Sequence, residues 1–315
     1  MTIKPILLTL TLLLAGLAPR AQAAQKLRVV ATIPELVDMT QRIGGGLVEV
    51  QGLAKGTEDI HQVVMKPSFV TRLNKADAVV YLGLSVEHAF LPGLLDVARN
   101  PRMRQDPDTQ GCAGPGCIDC SEGLNVMEKP ASLSRAEGDL HQQGNPHYNM
   151  DPGEAPRIAA DIAKGLSRID PQHAADYERN LKAYVAEFEP KLAEWRKWVA
   201  PLKGIKAVSF HKDMCYLGRF TGIDFVDTLE LKPGVPPTPT HLAALVKEMK
   251  DEGIKLIVRE QQYSAKECEW LAEQTGAKIA VIGTMANAFP GFETFEKISE
   301  RNIKALLEAV GRPRS

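Results

Sequence analysis

Residues 26–43 read KLRVVATIPELVDMTQRI, a short apolar run followed at once by an amphipathic one. The first part, 26–32, has the composition of a buried strand, and the second part, 34–43, has that of a helix. Glycines at 44–46 end the helix, because glycine tolerates the left-handed conformation at a helix C-terminus. The stretch predicts one strand–helix unit of the kind that builds a parallel sheet.

The same alternation recurs on both sides of one long helical pattern. Strands are predicted at 48–53, 78–82, 207–210, 224–228, 255–259 and 278–282. Helices are predicted at 67–75, 88–98, 214–220, 240–252, 265–275 and 292–310. Strands that alternate with helices favour parallel sheets covered on both faces.

The longest helical pattern, residues 171–202, lies between the two alternating halves and contains Pro190, which predicts a kink. We therefore expect an α/β protein whose two αβ lobes, with parallel-type sheets, are joined by one long rigid helix. The expected divisions are an N-terminal lobe at 24–168, a linking helix at 169–203 and a C-terminal lobe at 204–315.

The first 23 residues have the features of a secretory signal. Lys4 precedes an apolar run at 6–17 that is too short to span a bilayer, and Ala21-Gln22-Ala23 fits a signal-peptidase site. We expect cleavage near Ala23 and a periplasmic location. No cysteine lies at the cut, so we expect no lipid anchor there; an uncleaved membrane anchor is the alternative.

Charge and cysteine content narrow the class further. A formal net charge of -1 without a basic cluster argues against nucleic-acid binding. The five cysteines are an odd number, which in an oxidising compartment predicts one or two disulfides and a leftover thiol. Three of them lie in residues 104–143, which we interpret as a long loop with an internal disulfide. A thiolate metal-capture site is the alternative, and Cys215 could pair with Cys268.

Three of the seven histidines stand at junctions between predicted elements. His61 follows strand 48–53, His147 precedes a helix expected to start near Asp151, and His211 follows strand 207–210. Ligands of open αβ sheets bind beyond the carboxyl ends of the strands, so the three could converge between the lobes. Spacing alone is weak support, because a single histidine at a strand end is more often a hydrogen-bonded structural residue.

Motifs along nearly the whole chain support the convergence. They read VATIPEL (30–36), EDIHQ (58–62), NKADAVVYLG (74–83), GNPHYNMDP (144–152), SFH (209–211), KPGVPPTPTHL (232–242) and REQQYSAK (259–266). In this order they resemble the solute-binding proteins of zinc and manganese ABC transporters, the ZnuA/TroA-like family. The Asn-Pro-His-x-x-x-Asp-Pro block and the order of the segments make the resemblance specific.

The resemblance implies metal-ligand roles for His61, His147 and His211, in a cleft between the lobes. Family members commonly add a carboxylate late in the second lobe, but residues 283–287 read GTMAN here. Glu260 is the best substitute and water is the next candidate. A salt bridge or a helix cap at the lobe interface is the structural alternative for Glu260.

The ligand set and the resemblance together predict a receptor and not an enzyme. Imidazole nitrogens favour zinc, whereas Mn²⁺, the alternative metal, favours carboxylate oxygens. The receptor is expected to be a monomer that passes its ion to an ABC permease and its ATPase subunit. A secreted three-histidine zinc hydrolase or hydratase is the main rival, because zinc that keeps an open position activates water; a metal chaperone without a permease is another.

Several nearby residues receive secondary roles. Asp59 is expected to orient His61, and Asp151 to cap the helix after His147 or to bond a ligand histidine. His141 lies where family zinc receptors often carry a His- and acid-rich loop thought to capture metal. The remaining histidines are expected to be structural or solvent-exposed: His88, His173 and His241.

Overall fold

The N-terminal lobe is built on a four-stranded parallel sheet. The computed structural model describes residues 26–130, 141–232 and 234–313, so the predicted signal peptide, 1–23, lies outside the described residues. The elements of this lobe are β1 (Leu27–Ala31), α1 (Pro34–Gly44), β2 (Val48–Gly52), α2 (Pro67–Lys75), β3 (Ala78–Tyr81), α3 (Leu91–Ala98), β4 (Arg104–Gln105), β5 (Cys112–Ala113), β6 (Cys117–Asp119) and α4 (Ala155–Ile169).

The sheet has the strand order β2-β1-β3-β6, so the opening stretch of sequence supplies a central strand. Val29, Val30 and Ala31 are buried because helices cover the sheet, as expected for parallel strands. The segments that follow β2 and β3 leave the same carboxyl edge of the sheet. Side chains placed after those two strands are therefore brought near one another.

Part of the segment predicted as a long loop is ordered strand, and that prediction is corrected. β6 pairs in parallel with β3, while β4 and β5 form a small antiparallel pair. A disulfide joins Cys112 to Cys117, which confirms the bond expected within this segment. Cys120 is a buried thiol, and Cys215 and Cys268 are also free, so the possible pair between the last two does not form.

A long helix and a second parallel sheet complete the fold. The remaining elements are α5 (Ala174–Val199), β7 (Lys206–Ser209), α6 (Cys215–Thr221), β8 (Asp224–Thr228), α7 (Pro239–Asp251), β9 (Leu256–Glu260), α8 (Ala265–Thr275), β10 (Lys278–Ile282) and α9 (Phe295–Ala309). The C-terminal sheet has the order β10-β9-β7-β8 and is parallel throughout.

The long helix α5 continues through Pro190 and packs on elements of both lobes, namely α1 and α4 on one side and α6 and α9 on the other. The expected two-lobed α/β fold is thus confirmed. Within the described ranges, no helix combines the length and apolar character needed to cross a membrane.

Buried polar contacts tie the lobes together beside the cleft. Glu35 of α1 accepts hydrogen bonds from the Asn149 side chain (2.9 Å) and from the Ala286 backbone N–H (3.1 Å). Burial raises the pKa of Glu35 to about 7. Ala286 belongs to the segment where the family resemblance implies a carboxylate. Here the backbone of that segment binds a carboxyl group of the other lobe.

Candidate metal centre

Three histidines from separate parts of the chain meet between the lobes. His61 lies in the 3-10 turn Ile60–Gln62 after β2, His147 directly precedes the 3-10 turn Tyr148–Met150, and His211 follows β7. One nitrogen from each ring lies within 4.8 Å of the other two. The Nε2 atoms of His61 and His147 are only 2.9 Å apart.

This spacing fits a single small cation. Four tetrahedral ligands at about 2.0–2.1 Å from zinc lie about 3.3 Å from one another. The close His61–His147 pair would have to separate by a few tenths of an ångström to reach that spacing. His147 and His211 are buried, whereas His61 is partly exposed, so an ion held here would be largely removed from water.

Oxygen atoms behind two of the rings decide which nitrogen is available. The Nδ1 of His147 lies 2.9 Å from the side-chain oxygen of Asn145, and the Nδ1 of His211 lies 2.6 Å from a Glu230 oxygen. Since these oxygens act as acceptors, the neutral form of each ring carries its proton on Nδ1 and keeps the lone pair on Nε2. Metal-binding histidines are oriented in this way by acceptors behind them.

Burial favours neutral imidazoles on the N-terminal side of the cluster. Burial, reinforced by the charge that neighbouring histidines would carry, lowers the pKa of His61 and His147 well below the usual 6.5. For His211 burial also acts downward, but the Glu230 hydrogen bond and nearby carboxylates raise its pKa overall. The site is therefore electrostatically asymmetric, with Asp213 and Glu230 on the C-terminal side and Asp59 on the N-terminal side.

Glu260, the predicted fourth ligand, lies behind His211. Its Oε1 accepts the His211 backbone N–H at 3.2 Å, and it is not in the group whose ligand atoms lie within 4.8 Å. Its Oε2 is buried without a hydrogen-bond partner, as is an oxygen of Asp213. Burial raises the pKa of Glu260 to about 7 and, together with the Glu260 charge, raises that of Asp213 well above its usual value. The neighbouring carboxyls fit a pair that shares one proton.

Two further histidines stand around His61. The His88 and His141 rings lie 5.5 and 5.2 Å from the His61 ring, measured between centroids. Burial, followed by the charges of His88 and His211, lowers the pKa of His141 to about 3. His88 is partly exposed, and its ring stacks on that of His61.

The other residues singled out in the sequence have structural contacts. His173 pairs with Asp170 and the His241 ring bonds the Thr228 carbonyl, as expected of structural histidines. Asp151 accepts the Gly153 N–H and so caps the 3-10 turn Pro152–Glu154, which confirms the capping role. Asp59 accepts the backbone N–H of His61, so it fixes the turn that carries the ring.

Sequence reasoning missed the acceptors behind the rings, although signals for both exist. Glu230 stands two residues beyond β8, at the same carboxyl edge of the sheet as His211. Asn145 stands two residues before His147 in the Asn-Pro-His motif. A search for an acceptor near each candidate ligand would have found Asn145, whereas Glu230 becomes a candidate only when β8 is paired with β7.

Comparisons with known proteins identify relatives of the whole chain. The model of the family described as zinc-uptake complex component A periplasmic, ZnuA, matches residues 29–309. The zinc-binding lipoprotein AdcA of Streptococcus pneumoniae is 23% identical over 303 residues, which cover 95% of this chain but 59% of AdcA. This chain therefore spans about three-fifths of that relative.

A second relative and a solved structure are similar over most of their length. The iron ABC transporter substrate-binding lipoprotein MtsA of Streptococcus pyogenes is 23% identical over 258 residues, 81% of this chain and 79% of MtsA. A crystal structure of ZnuA superposes with a TM-score of 0.72 at 24% identity, covering 91% of this chain and 99% of that chain. The fold is shared, and the expectation of a receptor and not an enzyme is confirmed by the family. The chain belongs to the ZnuA family of periplasmic, metal-binding substrate-binding proteins of ABC transporters.

Proposed function

We propose that this protein is a periplasmic zinc receptor that binds one ion through His61, His147 and His211. It then delivers the ion to an ABC permease driven by its ATPase subunit. The observation that supports zinc is the ligand set, in which three imidazole nitrogens converge within 4.8 Å. Imidazole suits zinc, whereas manganese favours carboxylate oxygens. Relatives named for zinc and for iron both exist, so the choice of metal depends on this ligand set.

Water is the proposed fourth ligand, and Glu260 is the alternative. One Glu260 oxygen already accepts the His211 N–H, and the Glu260 carboxyl also interacts with that of Asp213. Bringing Glu260 to the ion would break both contacts. A water molecule completes a tetrahedral site without such a change.

Export is part of the proposal. Residues 1–23 are proposed to be a signal peptide that is removed near Ala23. The family is described as periplasmic, and two relatives are lipoproteins. A receptor in that compartment would meet zinc before the permease does.

Replacing one ligand tests the assignment. His147→Ala should lower zinc affinity at least about tenfold. Loss of a residue that only hydrogen-bonds a metal ligand already lowers metal affinity about ten- to a hundredfold, and loss of a ligand should cost no less. Isothermal titration calorimetry of the purified chain measures the change. His173→Ala is the matched control, because His173 pairs with Asp170 away from the cluster.

Two results would contradict the proposal. Unchanged zinc affinity in His147→Ala would remove this residue from the site. Tighter binding of Mn²⁺ than of Zn²⁺ by the wild type, measured by competition, would replace zinc with manganese as the cargo.

A further inference from the structure

Five histidine rings form three triangles that share His61, and two of these, an inner and an outer one, have no other ring in common. In the inner triangle the ring centroids of His61, His147 and His211 are 5.1, 5.5 and 5.6 Å apart. In the outer triangle those of His61, His88 and His141 are 5.2, 5.5 and 5.8 Å apart. The outer rings are thus spaced as the proposed ligands are.

The triangles differ in exposure and in closeness of their nitrogens. His88 and His141 are partly exposed, whereas His147 and His211 are buried. Among the described residues only the inner set has its ligand atoms within 4.8 Å of one another. The outer set is therefore the looser one and lies nearer to solvent.

A hydrogen bond at Nδ1 orients the His88 ring, as is typical of metal-binding histidines. Its Nδ1 lies 3.0 Å from the Ser85 carbonyl oxygen, an acceptor that leaves the Nε2 lone pair free. The turn is constrained, because Leu84 and Ser85 adopt positive φ angles of 52° and 64°. The buried Glu87 carboxyl fixes it further by accepting hydrogen bonds from two backbone N–H groups of the turn and from Thr32. Strained, over-determined backbone of this kind is concentrated at functional sites.

His61 differs from the three histidines that are held in this way. His88, His147 and His211 each place an oxygen behind Nδ1, but the Nδ1 of His61 is buried and has no hydrogen-bond partner. A backbone hydrogen bond with Val86 raises the pKa of this ring, but less than burial and the neighbouring histidines lower it. Apart from the contact of its Nε2 with that of His147, the shared ring is thus the least firmly held of the four.

We propose that His61, His88 and His141 form an outer binding set for a divalent transition metal ion. The ion passes from this set to the inner one as the His61 imidazole turns. His61 stays coordinated, while the nitrogens of His88 and His141 are exchanged for those of His147 and His211. The transfer leads from a loose, partly exposed set to a close, buried one. This inference rests on the proposed function.

A variant without the inner site tests for the outer set directly. His147→Ala/His211→Ala keeps all three outer histidines and should bind about one equivalent of Co²⁺, at least about tenfold more weakly than the wild type. Visible absorption of the cobalt complex measures the binding. Adding His88→Ala should abolish it, as should the milder His88→Gln, whereas adding His173→Ala should leave it intact. Thermal unfolding shows whether each variant is folded.

Kinetics test the transfer in the intact site. In His88→Ala, stopped-flow measurement should show zinc association and dissociation rates that both fall roughly tenfold, with Kd changed less than about twofold. Loss of an intermediate binding site lowers the association and dissociation rates by the same factor, because it does not change the free energy of the final bound state. A Kd raised tenfold at an unchanged association rate would make His88 a ligand of the final site and overturn the proposal, and so would unchanged rates.

The two proposals fail in different ways. If the wild type binds zinc tightly but the inner-site variant shows no cobalt binding that depends on His88, the outer set is overturned and the receptor stands. If the wild type binds zinc no more tightly than the inner-site variant, the receptor assignment fails. Cobalt binding that depends on His88 would then still support the outer set.

Discussion

An imidazole binds a metal ion through the nitrogen that carries no proton, so the proton on its other nitrogen needs an acceptor. Asn145 and Glu230 provide acceptors for His147 and His211. The histidines could be predicted because they lie in recognisable motifs. The acceptor behind His211 could not be found from local sequence, because Glu230 stands 19 residues away and meets it only after β7 and β8 pair.

Removing the charge of Glu230 should weaken metal binding. Glu230→Gln keeps an acceptor oxygen but loses the carboxylate that makes His211 more basic, so zinc affinity should fall about tenfold. Competition with a chelating dye measures the change. Glu252→Gln is the matched control, because Glu252 is exposed and pairs with Lys206 at the surface. Equal affinity in both variants would show that the Glu230 charge does not act on the ion.

The Glu260→Gln variant separates the two candidates for the fourth ligand. If water completes the site, the glutamine oxygen still accepts the His211 N–H and zinc affinity should change less than about threefold, since a neutral hydrogen bond contributes about 1 kcal/mol or less on balance. If Glu260 binds the ion, loss of its charge should lower affinity at least about tenfold. Calorimetry distinguishes these values, and the larger loss would replace water with Glu260.

At the scale of elements, long periodic segments could be predicted well and one short strand could not. Helices α2 and α8 and strands β8 and β10 have the predicted bounds. β6 was missed because it has only three residues among glycines and prolines, too few to show a period. The predicted start of α3 at His88 was three residues early, since the helix begins at Leu91. That error placed His88 on a helix instead of in the turn that faces the cluster.

The packing of α4 on β6 gives a prediction for stability. A Cβ at Gly165 would lie 2.6–2.8 Å from side-chain atoms of Ile118, which is buried. Because three contacts are shorter than 3.0 Å, overpacking should cost about 2–3 kcal/mol, the upper part of its usual range. The helix propensity of alanine returns about 1 kcal/mol, so Gly165→Ala should lower the free energy of unfolding by about 1–2 kcal/mol. Urea denaturation measures it.

The matched control is Gly46→Ala, where a Cβ would meet no atom within 4 Å and the free energy should change by less than about 0.5 kcal/mol. Combining Gly165→Ala with Ile118→Val should recover part of the loss, because the valine gives the new methyl group room. A Gly165→Ala protein as stable as the wild type would mean that β6 does not pack closely on α4.

At the scale of the whole molecule, the candidate metal site depends on the packing of the two lobes against each other. The two lobes follow from the alternation of strands and helices, but the histidine cluster also depends on contacts between distant segments, such as Glu35 with Ala286. Those contacts bury His61 and His147, and burial lowers the pKa of both rings so that they are neutral without metal. Burial of neutral histidines links the free energy of unfolding to pH.

The pKa of His147 decides in which direction this residue makes the free energy of unfolding change with pH. Burial and the neighbouring His61 hold its pKa well below 6.5, whereas in the unfolded chain it is about 6.5. Below pH 6.5 the unfolded state therefore takes up a proton at this residue that the folded state does not, so the contribution of His147 to the stability of the metal-free protein decreases as pH falls. By pH 5 this histidine should cost up to about 2 kcal/mol relative to pH 7.

The buried carboxyls of Glu35, Glu87 and Glu260 act in the opposite direction. Burial raises the pKa of each to about 7, so their contribution to the free energy of unfolding is lost as pH rises through that value. Comparison of the wild type with a variant that lacks His147 therefore isolates the contribution of this histidine to the pH dependence of stability. His147→Asn should gain stability relative to the wild type between pH 7 and pH 5 without metal, whereas His173→Asn, the control, should show a smaller gain. Urea denaturation at both pH values measures the difference. If the His147→Asn and wild-type profiles run parallel, His147 is protonated in the folded protein, and a cation would have to displace that proton to bind.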